Sequence, residues 1–196
     1  LALAYALTAG IIGARKTGIG QDMDVSLFDI AMANTAYPAI WYLNEGHVQE
    51  RVERSAHPVL CPCQLYKTED NWIYLMCNKE KFWPVLCKVL GQDKWIEDKR
   101  FENFSGRDKH RGLIQEMLDD VLSTKKTKTW LESFAGKVPA APVNNLKEAL
   151  DSPFMQQSSR IQELELDGYG KYRMLNSPIK CGEEETPARP APKMGA

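Results

Sequence analysis

The sequence has no C-x-x-C pair, no H-E-x-x-H, no G-x-S-x-G and no G-x-x-x-x-G-K-[ST] loop. Those absences remove the signatures of a zinc knuckle, a zinc protease, a serine hydrolase and a phosphate-binding P-loop. Histidine is scarce: His47, His57 and His110 sit at no ligand spacing, and Cys61 and Cys63 are one residue too close for a knuckle. No metal is expected. Net charge is nearly absent too, at −1 with a pI near 6.4. That excludes a dedicated nucleic-acid surface and a polybasic membrane anchor, and Lys125, Lys126 and Lys128 read as a solvated rim. Long apolar runs are missing. The one candidate, Leu1 to Ala14, is too short for a bilayer, carries no basic n-region and is rich in small residues. It reads as a helix cut at its start and buried on most faces. The five cysteines are odd in number. They point to free thiols in a reducing cytoplasm.

What is present is the composition of a soluble globular chain, 43% hydrophobic and 26% charged over 196 residues. That is enough for one domain, or for one domain with a small companion. After the first helix, Gly18 is a natural left-handed cap, with Arg15 and Lys16 at the negative end of the dipole. Residues 22–27 alternate and predict a strand, followed by a helix from about Phe28; this is an α/β rhythm. From Tyr42 to Pro62 the chain turns polar and then proline-rich, as a linker and an ordered loop would. Residues 64–67 and 72–77 predict a hairpin, the second strand apolar throughout and so covered on both faces.

A helix closed by Gly91 follows, with Phe82, Trp83, Leu86, Val89 and Leu90 inward and Pro84 near its first turn. Residues 108–122 predict one continuous helix with Leu113, Ile114, Met117, Leu118, Val121 and Leu122 on one face. Thr127 is placed to cap the next helix, Asn145 to cap residues 146–150, and Ser152-Pro153 to open another. A second hairpin is predicted around Asp167-Gly168-Tyr169-Gly170, and the stretch beyond Cys181 reads as linker or tail.

The glycines of "TGIGQ" run from a helix into an extended segment, the reverse of a phosphate loop, so Gly18 and Gly20 read as turn residues. Asp29, three residues after Ser26, sits where a carboxylate favours a helix N-terminus. Cys61 and Cys63 lie near His57 along the chain, but the prolines stiffen that segment and no third group orients a base. Motif and composition alone show no reaction.

Five stretches in this order resemble the class III CoA-transferases (CaiB/BaiF type), with formyl-CoA transferase, carnitine CoA-transferase and α-methylacyl-CoA racemase as relatives. They are "ARKTGIGQDMDVSLFD" (14–29), "SAHPVLCPCQLYKTEDNWIYL" (55–75), "KRFENFSGRDKHR" (99–111), "VPAAPVNNLKEALDSP" (138–153) and "RPAPKMG" (189–195). The resemblance implies an α/β fold: part of a Rossmann-like large domain that binds coenzyme A, plus an inserted small α+β domain. Residues 1–42 would end the first half of the large domain, 43–58 would be a linker, 59–150 the small domain, and 151–196 the return linker. It also implies an interlocked homodimer, with an acyl-CoA and a carboxylic acid as substrates.

The family's nucleophile is an aspartate that forms an aspartyl-CoA intermediate. No aspartate here matches it, Asp24 and Asp29 included. The resemblance therefore places that residue upstream of Leu1 and implies a fragment inactive alone. Formyl-CoA transferases carry a glycine run where this chain has "SAHPVLCPC" (55–63), and prolines restrict what glycines would free. That favours an acid other than formate or oxalate. His57, Pro58, Cys61 and Gln64 become the substrate-loop candidates. Two alternatives stay open: the racemase branch of the same family, and a non-catalytic partner subunit or degenerate homologue.

Overall fold

The computed structural model describes residues 1–157, 160–166, 168–179 and 189. The stretch beyond Cys181 that reads as a tail lies outside the described residues apart from Arg189, as does Asp167 in the second hairpin turn. The chain divides into two compact units, Leu1–Pro58 and Val59–Ala196.

In the first unit, α1 (Ala2–Thr17) ends where Gly18 turns left-handed at φ 75° and its N–H returns to the Ala14 carbonyl over 2.8 Å. The expected burial of α1 is not met. None of its residues is buried, and Leu3, Leu7 and Ile11 each stay more than half exposed. The reason is local: neither of the other helices of this unit lies extensively along it. Met23 covers one spot, and a Cβ at Gly10 would meet its Cε at 2.6 Å, so a larger residue there would make the flexible end of Met23 move aside.

Residues 22–27 do not form the expected strand. Among the described residues they have no ladder partner, and alternation without a partner leaves the backbone extended but unpaired. Leu27 instead opens α2 (Leu27–Ala33), capped by the Ser26 hydroxyl, which accepts the Asp29 N–H at 3.1 Å. The helix expected from Phe28 onward is broken. Ala36 takes φ 48° and ψ −122°, and α3 (Tyr37–Glu45) starts afresh with Pro38 in its first turn.

The second unit is built on a three-stranded antiparallel sheet. Strands β1 (Cys63–Lys67) and β2 (Trp72–Met76) form the expected hairpin, with Cys63 opposite Met76 and Leu65 opposite Tyr74. Strand β2 is not covered on both faces: Ile73 and Leu75 are fully buried, while Met76 is 46% exposed. Helices pack against the face of the sheet that carries Tyr66, Ile73 and Leu75. They begin with α4 (Phe82–Leu90), stopped by Gly91 at φ 70°, whose buried stripe is Trp83, Leu86, Cys87 and Leu90. The short α5 (Lys94–Glu97) leads to α6 (Phe104–Lys109) and α7 (Arg111–Leu122).

The expected single helix is thus two, parted at His110, whose Nδ1 lies 2.8 Å from the Gly106 carbonyl. Ile114, Leu118 and Leu122 are buried as expected, but Leu113 is 36% exposed. Helix α8 (Thr127–Phe134) packs Trp130 and Phe134 into the same core. Thr127 is its first residue, with Lys126 at the cap position. Strand β3 (Ala140–Pro142) then pairs with β2.

Asn145 and Glu148 form a capping box on α9 (Leu146–Leu150), and Ser152 caps α10 (Pro153–Gln156). A separate two-stranded sheet, β4 (Ile161–Leu166) with β5 (Gly170–Leu175), follows.

Candidate functional site

Of the four substrate-loop candidates, His57 and Pro58 are half-buried, in the first unit, whereas Cys61 and Gln64 are buried in the second. His57 stacks on Tyr37 with ring centroids 5.8 Å apart and planes 22° off parallel, and its Nε2 lies 3.4 Å from the Tyr37 hydroxyl. One helical turn on, Trp41 packs against Tyr37 at 4.8 Å, and His47 meets Trp41 edge-on at 5.8 Å. The backbone on both sides is strained. Ala36 precedes Tyr37, and Arg54 and Ser55 take φ 55° and 51° just before His57.

Cys61 and Gln64 belong to a buried lattice that begins on α6 and α7. Arg107, 1% exposed, donates from Nε to the Cys61 carbonyl at 2.7 Å and from Nη1 to the Phe101 carbonyl at 2.8 Å, and pairs with Glu80. Its guanidinium also lies over the rings of Phe104 and Trp83, 4.7 and 5.5 Å from their centroids. Arg111 donates to the Leu60 carbonyl and the Gln64 side chain, each at 3.3 Å, and pairs with Asp108 at 2.5 Å. Gln64 in turn donates to Gln115 at 2.8 Å. The Cys61–Pro62 peptide is cis. The Cys61 carbonyl and the Gln64 side chain therefore anchor the loop from inside, and both residues are buried in this unit.

The thiols are not poised as nucleophiles. Burial pushes Cys61 up to about 11, against partial relief from Arg111 and Arg107, and pushes Cys77 and Cys87 up to about 12. Cys63 is buried as well, with Sγ 3.7 Å from the Tyr74 hydroxyl. Burial also raises the Tyr66 phenol well above its ordinary range, and that hydroxyl has no hydrogen-bond partner among the described residues. Among the described residues no three His, Cys, Asp or Glu side chains are grouped to hold a metal ion, and no helix is long and apolar enough to cross a membrane. Asp24 and Asp29 are both exposed, Asp29 in the first turn of α2.

Sequence reasoning singled out His57 but missed Tyr37, Trp41 and His47, whose signal is the aromatic spacing in "YPAIWYLNEGH". It also missed Arg107 and Arg111, which lie inside "SGRDKHR" without a motif of their own.

The model of CoA-transferase family III matches residues 1–196, the whole chain. The chain belongs to that family. Human succinyl-CoA:glutarate CoA-transferase is 27% identical over 192 residues, covering 97% of this chain and 44% of that protein. Succinate–glutarate CoA-transferase of Agrobacterium fabrum is 27% identical, covering 97% of this chain and 48% of its own length. Formyl-CoA:oxalate CoA-transferase of Shigella sonnei is 24% identical, with 98% and 52% covered. The chain thus spans about half the length of the curated relatives it matches.

Solved structures share the fold. The crystal structure of Rv3272 from Mycobacterium tuberculosis aligns at a TM-score of 0.79 and 20% identity, over 94% of this chain and 48% of that one. A CaiB/BaiF family protein from Brucella suis aligns at 0.72 and 25% identity, over 92% and 47%. The mixed α/β fold of the CoA-transferase family III is therefore that of this chain.

Proposed function

We propose that this chain is part of a CoA-transferase that moves CoA from an acyl-CoA to a short dicarboxylic acid. The observation that carries the reading is the family match across residues 1–196. Support for the acid comes from the human and Agrobacterium relatives, both named for glutarate. An aspartate carboxylate attacks the thioester carbonyl and releases CoA as thiolate, leaving an acyl–aspartyl anhydride. The thiolate then attacks the aspartyl carbonyl, releasing the donor acid and forming aspartyl-CoA. The acceptor carboxylate repeats the sequence in reverse and leaves as its CoA thioester.

No aspartate among the 196 residues is assigned as that nucleophile, and these residues alone are proposed to be inactive. Residues 1–42 belong on this reading to the CoA-binding domain and 59–150 to the inserted domain, with 43–58 and 151–196 linking them. The active form is an interlocked homodimer. The four described cysteines are free, as a cytoplasmic protein's would be. Within the loop, His57 and Pro58 face the substrate while Cys61 and Gln64 hold the backbone through Arg107 and Arg111.

The test is to incubate the purified full-length protein with succinyl-CoA and glutarate and to follow glutaryl-CoA by liquid chromatography. Glutaryl-CoA should accumulate as succinate is released. Hydroxylamine should trap a single aspartyl residue as its hydroxamate. Absence of CoA exchange with every short dicarboxylic acid would overturn the reading. Turnover by residues 1–196 alone would overturn the placement of the nucleophile outside them.

A further inference from the structure

We propose that Tyr37 and His57 form a carboxylate-binding pair that holds the unreacting carboxylate of a dicarboxylic acid. The inference rests on the transferase reading above and extends it to a specific subsite. A dicarboxylic acid offers one carboxylate to the reaction, and the other must be desolvated and satisfied by the protein. The pair lies wholly within the first unit. Its two polar atoms, Tyr37 Oη and His57 Nε2, sit 3.4 Å apart, beyond the usual range for a strong hydrogen bond. They are close enough for both to donate to one carboxylate. The 3.4 Å separation puts both polar atoms at the same edge of the stacked rings. Trp41 continues the aromatic surface from Tyr37 and supplies an apolar floor for the methylenes between the two carboxylates.

A second observation converges on the pair. The non-glycine residues with positive φ among the described residues are Ala36, Arg54 and Ser55. Ala36 adjoins Tyr37; Arg54 and Ser55 lie within three residues of His57. Backbone in these regions is costly for residues with a Cβ and collects where a side chain must be held in one place. Here three such residues aim the two members of one pair. A packing contact between two half-exposed rings would not require that.

The test uses the full-length protein labelled with 15N-histidine, the His57 ring assigned through His57→Gln. Glutarate, valerate and coenzyme A are titrated at matched ionic strength. Glutarate should give a saturable shift of the His57 ring, and valerate, of the same chain length with one carboxylate, should bind at least fivefold more weakly. Tyr37→Phe keeps the ring and removes the donor. It should weaken glutarate by roughly tenfold, the loss of one hydrogen bond to a charged group, and leave valerate unchanged. In turnover the same variant should raise KM for glutarate with little change in kcat. No saturable shift, equal shifts from valerate, a shift from coenzyme A alone, or a Tyr37→Phe protein that binds glutarate normally would overturn the subsite. Turnover without the shift overturns the subsite and leaves the transferase reading standing. The shift without turnover does the reverse.

Discussion

The guanidinium of Arg107 donates to the backbone carbonyl of Cys61 across 2.7 Å, joining two residues 46 positions apart that are both shut off from water. Its ion-pair partner Glu80 is half exposed, at 51%. The carbonyls of Cys61 and Phe101 depend on the arginine, whereas the carboxylate has water as an alternative. Arg107→Met should therefore destabilise the chain by about 3 kcal/mol, through two orphaned carbonyls and two lost ring contacts. Glu80→Gln keeps an acceptor for Arg107 and loses only the charge, so it should cost less, about 1–2 kcal/mol. Urea denaturation of the two variants checks this. Equal losses would mean that the ion pair, and not the carbonyls, carries the contact.

Such a contact could not be read from the chain. Features whose physics is local were legible. Gly18 and Gly91 stop helices because a left-handed cap asks only for a missing Cβ, and Asn145 and Ser152 cap because their oxygens reach N–H groups three residues on. The β1–β2 hairpin was legible for the same reason. Residues 22–27 were misread because alternation specifies a face, and a strand exists only where another strand accepts its hydrogen bonds. The burial expected of α1 also required neighbours that its own composition cannot supply. At the candidate site, His57 was found through the resemblance. Tyr37 was not, since twenty residues separate the two and the turn at Ala36 that aims Tyr37 has no glycine to announce it.

Tyr66 packs its ring into the core of the second unit with its hydroxyl unpaired among the described residues. A buried hydroxyl without a partner retains its desolvation cost and gains no bond. Tyr66→Phe keeps the ring and removes that cost. The variant should be more stable by about 1 kcal/mol, raising the melting temperature by a few degrees. A lower melting temperature would mean that the hydroxyl is satisfied in solution.

Asp70 reaches from the β1–β2 turn to the start of α8. Its Oδ1 accepts the Thr127 N–H at 2.8 Å and the Thr127 hydroxyl at 2.9 Å. Those bonds, the backbone one foremost, hold its carboxyl below the ordinary value of 3.8. A depressed carboxyl stabilises the fold above its unfolded pKa, and that contribution is lost as pH falls through the folded one. Asp70→Asn should flatten the acid limb of the stability curve below about pH 4 while lowering stability at neutral pH. Denaturation midpoints of wild type and variant across that range measure the difference. Parallel curves would remove Asp70 from the acid limb.

The buried thiols set the opposite limb. Cys61, Cys77 and Cys87 are held at about 11, 12 and 12, against an ordinary value of 9.0. In the folded chain they stay neutral where the unfolded chain ionises, so the unfolded state gains from pH 9 upward. Each fully shifted thiol removes about 1.4 kcal/mol per pH unit across its window. Stability should fall steeply between pH 9 and 11, and Cys87→Ala should make that fall shallower. The same burial denies the thiolate to reagents. In a Cys181→Ser variant, peptide mapping should find Cys61, Cys63, Cys77 and Cys87 unmodified by a disulfide reagent near neutral pH in the native state, and all four modified once urea unfolds it. Rapid modification of the native variant would show that the loop opens to solvent, and would return Cys61 to the surface of the site.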